Sequence, residues 1–270
     1  MRKVLACLGL VFGLAWSVPA SAEPLELRIP QHSLTHYVQE LLQRAFEAAG
    51  GKAIVTPAND PLSHGRMMLL VERQEGLDLF WRGEDADLKK RFLEVEFDLT
   101  DGLKGVRVLF VRPDDKDLYA HVQSLDEFRA LGTIGAMGYD WNDVQIWEVN
   151  GLPVDLTREH WNPAIYNKLA AGRPGVDYFS RGIIEMAVEA PQHPELAVEP
   201  HLQLVYENDF RLYVSKDRPD LHKLLTDVLK SADAQGILQQ TLRDVFPDIF
   251  RPDGLNIEGR RIIPLAMPVP

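Results

Sequence analysis

Gly102-Leu103-Lys104-Gly105-Val106-Arg107-Val108-Leu109-Phe110-Val111-Arg112-Pro113 is the stretch that divides this chain into two halves. It is an apolar, β-branched run that begins with glycines and ends with a proline, a composition typical of a buried strand behind a flexible joint. A similar strand pattern returns at residues 204–206 and again at residues 210–214. The sequence therefore predicts two crossings between two lobes, which makes a hinge with a cleft between the lobes.

Both halves alternate strand and helix patterns, as open sheets with crossover helices do. In the first half we predict strands at residues 25–30, 52–56 and 77–81, a helix at 34–49 capped by Ser33, and a helix from Asp60 or Ser63 to residue 74. In the second half we predict helices at 124–130, 142–150, 162–171 and 182–189 and strands at 133–137, 151–154 and 176–179. Two amphipathic helices, at 220–231 and 234–246, follow the return crossing.

These patterns predict a two-lobed α/β fold, with an open mixed sheet flanked by helices in each lobe. We assign residues 23–103 plus 209–250 to lobe 1, residues 104–208 to lobe 2, and residues 251–270 to a C-terminal tail of unassigned structure. Residues 1–22 are predicted to be a signal peptide cleaved after Ala22, because basic Arg2 and Lys3 precede a short apolar run and the small residues Ala20-Ser21-Ala22.

Composition narrows the class of function. The formal net charge is −11, and removal of residues 1–22 takes away two basic groups and no acid, which argues against nucleic acid as a partner. The only cysteine, Cys7, lies in the predicted signal peptide, so the mature chain has no disulfide and no thiolate metal site. We expect an exported, periplasmic, monomeric protein without a cofactor.

The order of the elements resembles the type II periplasmic solute-binding proteins, whose polar-amino-acid members feed ABC importers. The resemblance covers roughly residues 25–246 and rests on three landmarks. Gly76-Leu77-Asp78-Leu79 is similar to the family's approach to its third strand, Ser124-Leu125-Asp126-Glu127-Phe128 to the opening of its second lobe, and Gly172-Arg173-Pro174-Gly175-Val176-Asp177 to its G-R-x-D segment, with one residue inserted. The resemblance implies a two-lobed binding protein with a small-molecule ligand and a membrane permease as partner.

A narrower likeness points to an orphan branch of that family, which has no well-defined ligand. It is carried by the segments 139–143, 150–152 and 177–182 and by Glu185. The amino-acid binders have a T-x-x-R motif followed by F-S-x-P-Y. Here Arg91 precedes Phe97 at the family's distance, but Leu88 stands in place of the threonine and residues 98–101 in place of S-x-P-Y. The resemblance therefore implies the fold without implying amino-acid specificity.

Ligands of open α/β sheets sit where strands end and loops converge. Arg82, just after the third strand, can grip a carboxylate, or it can pair at the surface with Glu84 or Asp85. Arg91 has the family's carboxylate-binding position by spacing, but Lys89-Lys90-Arg91 can equally be a solvated helix face. Arg66 faces the cleft if its helix begins near Ser63 and is otherwise an ordinary helix charge.

The second lobe offers candidates from two loops. In the amino-acid binders the aspartate that matches Asp177 holds the ammonium group of the ligand, although Arg181 can neutralise it here instead. Tyr139, Asp140 and Trp141 precede a predicted helix, where amides can bind an anion and the rings can stack on a planar ligand or pack in the lobe. Trp81 and Tyr37 are further aromatic candidates.

No motif of a nucleophile, a zinc protease or a phosphate loop occurs, so we predict no enzyme. His32, His36 and His64 make a zinc site conceivable, but no other ligand motif supports one. The expected function is capture of a small, polar, partly anionic solute by hinge closure for an ABC-type importer. The alternatives are a ligand-sensing module for a membrane signalling partner and, on the same fold, a small-molecule lyase or dehydratase.

Overall fold

A computed structural model describes residues 24–31, 34–83, 86–158 and 160–268. The predicted signal peptide therefore lies outside the described residues, as does the predicted helix cap at Ser33. The strands are β1 (Leu25–Gln31), β2 (Ala53–Pro61), β3 (Leu79–Gly83), β4 (Phe92–Val95), β5 (Val106–Val111), β6 (Gly135–Gly138), β7 (Val154–Thr157), β8 (Tyr178–Gly182), β9 (Ala197–Val198), β10 (Leu202–Val205), β11 (Phe210–Ser215) and β12 (Arg261–Pro264). The α-helices are α1 (Thr35–Ala48), α2 (His64–Glu72), α3 (Ala86–Arg91), α4 (Leu125–Ala130), α5 (Asp143–Val149), α6 (Trp161–Ala170), α7 (Ile183–Glu189), α8 (Pro219–Ala234), α9 (Ile237–Val245) and α10 (Pro247–Phe250).

Lobe 1 contains the strands β1 to β4 and β11. β1 and β2 pair in parallel, while β11 lies between β3 and β4 and is antiparallel to both. The amide of Asp78 donates to the carbonyl of Arg28 (2.9 Å), which holds β1 beside the start of β3. Helices α8 and α9 pack against α1, whose buried face has the helical spacing of an amphipathic helix.

Lobe 2 is built on one sheet with the strand order β12-β10-β5-β8-β6-β7, and β9 pairs with β5. β5 is antiparallel to β8 and β10, whereas β6 is parallel to β7 and β8. The strands of this mixed sheet are covered by α4, α5, α6 and α7. The predicted two-lobed α/β class is confirmed, with sheets flanked by helices. The residue boundaries assigned to the lobes stay a prediction.

The first crossing is a short 3₁₀ turn, Leu103–Gly105, that leads directly into β5. A Cβ atom on Gly105 would lie 2.0 Å from the carbonyl oxygen of Tyr206, so the two crossings approach each other closely enough to require glycine there. Asp209, on the return crossing, accepts hydrogen bonds from the Thr100 amide (3.0 Å) and hydroxyl (2.8 Å) and from the Gly102 amide (2.7 Å). One buried carboxylate therefore ties the two crossings together.

The tail passes from lobe 1 to lobe 2 as well. α10 lies against both α9 and α7, and β12 then adds to the lobe 2 sheet in parallel with β10. The side-chain amide of Asn150 donates to the carbonyl of Ala266 and its carbonyl accepts from the Ala266 amide, each at 2.8 Å. The chain thus makes a third connection between the lobes in addition to the two predicted crossings. Within the described residues, no helix combines the length and the apolarity that a bilayer crossing needs.

Candidate functional site

Arg82 lies in β3 just before the strand ends and is partly buried. It stands directly opposite Arg211 on β11, and Arg211 forms ion pairs with Asp98 and Glu94. Among the described residues, Arg82 has no hydrogen-bond or ion-pair partner. Because like charges on neighbouring strands repel, a guanidinium in this position favours an added anion.

Lys104, in the 3₁₀ turn of the first crossing, reaches the end of the same strand. Its Nζ donates to the side-chain oxygen of Asn208 (2.8 Å) and lies over the ring of Phe210, 4.8 Å from the ring centroid. A Cβ atom on Gly83 would stand 2.5 Å from this Nζ, so the ammonium group lies on the side-chain face of Gly83, opposite to the face to which Arg82 points. We call Arg82, Gly83, Lys104, Asn208 and Phe210 the junction site.

Burial, and secondarily the positive charge of Arg107, lowers the pKa of Lys104 to about 8. An ammonium group loses water by burial, and here no carboxylate within ion-pair distance replaces that water among the described residues. Lys104 was not among the residues predicted to bind a ligand. The sequence feature that could have identified it is a lone lysine beside Gly105 in the predicted joint, where packing within a strand does not explain a charged side chain.

The charges of the junction site differ from those elsewhere in this acidic chain. In the described ranges, the lysines and arginines that are at least partly buried form ion pairs with carboxylates, with three exceptions. The residues with such pairs are Arg44, Arg107, Arg112, Lys168, Arg181, Arg211, Arg218 and Arg260. The exceptions are Arg82, Lys104 and Arg261, and Arg261 donates to the carbonyls of Ala120 and Val122 instead. Arg82 and Lys104 are therefore the two partly buried cations of the described chain that bind neither a carboxylate nor a backbone carbonyl, and they lie on opposite faces of the end of β3.

The edge of the lobe 2 sheet that adjoins the crossings carries a second polar group of residues, the Arg107 cluster. Arg107 donates to both carboxylate oxygens of Asp143 (2.9 and 3.2 Å) and to the hydroxyl of Tyr206 (2.8 Å), which in turn donates to Asp143. Glu185, at the start of α7, lies 3.9 Å from Arg107 and accepts from the amide of Gly182 (3.2 Å). Because these groups form hydrogen bonds and ion pairs with one another, the cluster is a fixed wall and presents no unpaired charge.

Arg181 and Gly182 are neighbours in β8, so they face opposite sides of the sheet. The Arg181 side chain is nearly enclosed. Its guanidinium binds both oxygens of Glu189 (2.7 and 2.6 Å) and stands 5.1 Å from the ring centroids of Trp141 and Trp161. Phe179 closes the cage at 5.5 Å. The structure thus brings together two predicted ligand-binding residues, Arg181 and Trp141, but each is the other's packing partner.

Tyr139 and Asp140 are exposed where β6 ends, at the sheet edge that adjoins the crossings. The guanidinium of Arg158 lies 4.0 Å above the ring of Tyr139. Helix α5, which follows this loop, begins at Asp143 and is only two turns long. Both residues are therefore accessible to a solute, whereas the helix start itself has little dipole to offer.

The prediction that Asp177 ends a strand is wrong, because the strand begins one residue later as β8. The Asp177 carboxylate accepts from the amide of Ile134 (2.8 Å) and lies 3.9 Å from Arg112, which follows β5. β5 runs antiparallel to β8, so Asp177 lies six residues, or about 20 Å, from the crossing where β5 begins. The alternation of side chains along a strand does not fix where a buried strand starts. Because Val176 is apolar, the predicted strand began two residues before the observed one.

Tyr37 and Trp81 are both in the core of lobe 1. Tyr37 is 1% exposed, packs against Phe246 (5.5 Å between ring centroids) and donates its hydroxyl to the carbonyl of Leu99. Trp81 is 3% exposed on β3, on the face covered by α1. Packing accounts for both aromatic rings, and neither enters the proposed site.

Arg66 and Arg91 lie on the surface. Arg66 follows the start of α2, where its amide is capped by the Ser63 hydroxyl as predicted. Arg91, in the last turn of α3, pairs with Glu72 on α2 (2.9 Å). Both guanidinium groups are therefore exposed, and that of Arg91 already binds a carboxylate.

Two other features bear on the site. A groove of about 380 Å³ lies between α1 and α9, but the ion pair of Arg44 and Asp244 (2.6 Å) satisfies its charges. The described part of the chain contains no group of three or more histidine, cysteine, aspartate or glutamate side chains that could hold a metal ion. His32, one of the three histidines considered for zinc, lies outside the described residues.

No protein-family model matches the sequence, and no curated protein matches it. Solved structures match its fold. The probable amino-acid ABC transporter extracellular-binding protein YtmK of Bacillus subtilis is 12% identical, with a TM-score of 0.61 over 83% of this chain and 99% of that one. YckB of Bacillus subtilis is 15% identical, with a TM-score of 0.54 over 89% of this chain and 97% of that one.

A third structure is the putative binding component of an ABC transporter from Wolinella succinogenes, solved in complex with lysine. It is 13% identical, with a TM-score of 0.54 over 82% of this chain and 95% of that one. Sequence identities this low carry the fold and nothing finer. With its helix-flanked sheets and the crossings between its lobes, the chain has the fold of the type II periplasmic solute-binding proteins.

Proposed function

We propose that this chain is a periplasmic solute-binding protein that captures a small, polar, partly anionic solute between its lobes and delivers it to an ABC-type importer. Two of the structurally similar proteins are a probable amino-acid ABC transporter extracellular-binding protein and a putative binding component of an ABC transporter, and the second is in complex with lysine. The observation that carries the proposal is Arg82, a partly buried guanidinium at the end of β3 that has no partner in the described chain.

Three parts of the molecule contribute to the proposed site. Lobe 1 provides Arg82 at the end of β3, and the first crossing provides Lys104 on the other face of that strand. Lobe 2 provides the exposed Tyr139 and Asp140 and the fixed wall of the Arg107 cluster. A solute that touches both lobes stabilises the closed form over the open one, since only the closed form makes all of these contacts.

In this proposal, the two crossings form the hinge about which the lobes close. The two crossings are tied by Asp209, so they move as one joint. The tail makes a third connection through α10 and β12, and this limits the lobes to a small opening angle. The signal peptide and the periplasmic location remain parts of the proposal, supported by the sequence pattern of residues 1–22 and by the similarity to YtmK, a probable extracellular-binding protein.

The experiment is a thermal-shift screen of the mature chain against amino acids, small organic acids and small sugars. A binder shows a melting temperature that rises with solute concentration and forms no product from the solute. Arg82→Gln is the test variant and Arg91→Gln the comparison, because the two arginines differ in whether a carboxylate already binds them. We expect Arg82→Gln to weaken binding by roughly 10- to 150-fold, the loss of one charge-assisted contact, while Arg91→Gln leaves it unchanged.

The reverse result, in which Arg91→Gln abolishes the stabilisation and Arg82→Gln does not, would place the solute on the α2–α3 surface. A screen in which no compound stabilises the wild-type chain would contradict the proposed function itself.

A further inference from the structure

Lobe 2 has an unpaired cation of its own, Arg158, at the edge of its sheet that adjoins the crossings. Arg158 directly follows β7, and the amide of Tyr139, which directly follows β6, donates to the carbonyl of Thr157 (3.0 Å). β6 and β7 are parallel, so both residues stand at the carboxyl ends of these strands. β8 is parallel to β6, and its last residue, Gly182, pairs with Arg107 near the start of β5. This edge therefore lies beside the crossings.

The guanidinium of Arg158 is held over an aromatic ring. It lies 4.0 Å above the ring of Tyr139, and it has no hydrogen bond or ion pair with any described residue. Stacking uses the flat face of a guanidinium and leaves its N–H edge free to bind both oxygens of a carboxylate. Both side chains are exposed, so a solute can reach that edge.

Arg82 is the corresponding cation of lobe 1. β3 pairs with β11, whose first residue follows the return crossing, so Arg82 also stands beside the crossings. It has no ion pair in the described chain, and its neighbour across the strands, Arg211, is bound by Asp98 and Glu94. Each lobe therefore presents one guanidinium without a carboxylate partner at the edge that adjoins the crossings.

The carboxylates of the Arg107 cluster are bound within the cluster or to Arg181. Asp143 accepts from Arg107 and Tyr206, and Glu185 lies 3.4 Å from Arg181 and 3.9 Å from Arg107. They are not free to pair with a cation of the other lobe. Closure of an empty cleft therefore brings two unpaired cations closer together, and the repulsion between like charges opposes this.

Asp140 is the one carboxylate beside Tyr139 in the loop after β6. It has no hydrogen bond or ion pair among the described residues, but it is exposed, so water solvates its charge and it adds little to the stability of a closed form. A solute with two negative charges offsets the repulsion between the two guanidinium groups, whereas a solute with one negative charge pairs with only one of them.

From these two cations we infer that the solute carries two carboxylate groups, one bound by Arg82 of lobe 1 and the other by Arg158 of lobe 2. The inference rests on the proposed function and narrows it from a partly anionic solute to a dicarboxylic acid. Arg158 acts as a specificity-determining residue, because a solute with one carboxylate leaves one of the two cations unpaired when the lobes close.

The position of Tyr139 indicates that the two carboxylates are separated by a linker. β6 is two strands away from β5 in the sheet, and neighbouring strands lie about 4.8 Å apart, so the loop that carries Tyr139 begins about 10 Å along the edge from β5. The length of the acid is therefore scanned in the experiment.

Matched acids on the mature chain test the inference: succinate against butyrate, glutarate against valerate, and adipate against hexanoate. The members of each pair have the same carbon chain and differ by one carboxylate. Binding is measured by calorimetry for wild type, Arg158→Gln, Arg82→Gln and the control Arg173→Gln. Arg173 is an exposed arginine of lobe 2 that has no ion pair in the described chain, and it follows α6, at the opposite edge of the sheet.

We expect at least one diacid to bind at least about tenfold more tightly than its monoacid partner. Arg158→Gln should weaken that diacid about tenfold or more and the monoacid by much less, so that the difference between them disappears. Arg173→Gln should bind both acids as wild type does. Thermal melting without probe, compared among the variants, shows that each one is folded.

Failure of the inference can be told apart from failure of the proposed function. The inference is overturned, and a solute-binding protein remains, when monoacids bind as tightly as diacids or when amino acids or sugars stabilise the chain and no diacid does. Arg158→Gln that binds a diacid like wild type, or an equal loss in Arg173→Gln, would overturn it as well. Absence of stabilisation of the wild-type chain by every compound in the wider screen would contradict the proposed function.

Discussion

Replacement of Asp209 by alanine tests the hinge most simply, because this carboxylate joins the two crossings. Its oxygens accept from the Thr100 amide and hydroxyl, the Gly102 amide and the Phe210 amide. The Thr100 hydroxyl also accepts from the amide of Lys104 (3.1 Å), so the same network positions the junction site.

The loss in the free energy of unfolding depends on which of these donors can find a new hydrogen-bond partner. Thr100 is fully buried, so in Asp209→Ala its amide and hydroxyl lose their acceptor and water does not replace it. Each unsatisfied buried donor costs about 1–3 kcal/mol. Gly102 is exposed and regains water. Burial raises the pKa of Asp209, so relief of the cost of burying its charge offsets part of the loss.

The expected net loss is about 3 kcal/mol, which lowers the melting temperature of a chain of this size by roughly 6–12 °C. Asp209→Asn keeps the acceptor oxygen for Thr100 and loses the bond to Gly102, so it should fall between alanine and wild type. Glu207→Ala is the matched control, since Glu207 is an exposed carboxylate on the same crossing. If Asp209→Ala melts at the same temperature as Glu207→Ala, the carboxylate does not hold the crossings together.

Two further predictions concern buried charges. The pKa of Lys104 is about 8 when the chain is folded and about 10.5 when it is unfolded. Burying the protonated lysine therefore lowers the free energy of unfolding at pH values below 8, and this cost disappears as the pH rises to 10.5. Lys104→Met should therefore raise the free energy of unfolding at pH 7 by up to about 3 kcal/mol and by much less at pH 10.5, measured with urea; an equal effect at both pH values contradicts the lowered pKa. Arg260 donates to the carbonyls of Leu255 (2.6 Å) and Leu202 (3.0 Å) and lies 3.7 Å from the fully buried Glu199. Arg260→Ala should cost about 3–5 kcal/mol in the same assay, whereas the exposed Arg243→Ala should cost under about 0.5 kcal/mol; similar losses would show that the tail is not held by Arg260.

Much of the fold was predictable because it depends on patterns that are local in the sequence. Strand–helix alternation placed most elements within a few residues of their observed bounds. Of the two predicted starts of the second helix, Ser63 is the observed one, since its hydroxyl accepts from the amide of Arg66 three residues on. β12 was not predicted. It is short, proline-rich and stabilised by pairing with β10 and by Asn150, which lies more than a hundred residues away.

The site was harder to predict because sequence alone does not reveal which charges are already paired. Arg82 and Arg91 looked similar as anion contacts, and only the position of Glu72 distinguishes them. Arg181 was expected to neutralise Asp177 or to bind the ligand, yet its guanidinium is fixed by Glu189 on the following helix. Lys104 was overlooked because the joint was interpreted as flexible backbone, whereas its side chain reaches across to Gly83 at the end of β3.

Hydrogen–deuterium exchange on the mature chain, with and without the compound that gives the largest thermal shift, tests most directly whether a solute binds between the lobes. We predict that protection rises together around Arg82–Gly83, around the first crossing, and in the loop after β6, on both sides of the junction. Protection confined to one lobe, or centred on the groove between α1 and α9, would contradict capture of a solute by closure of the two lobes.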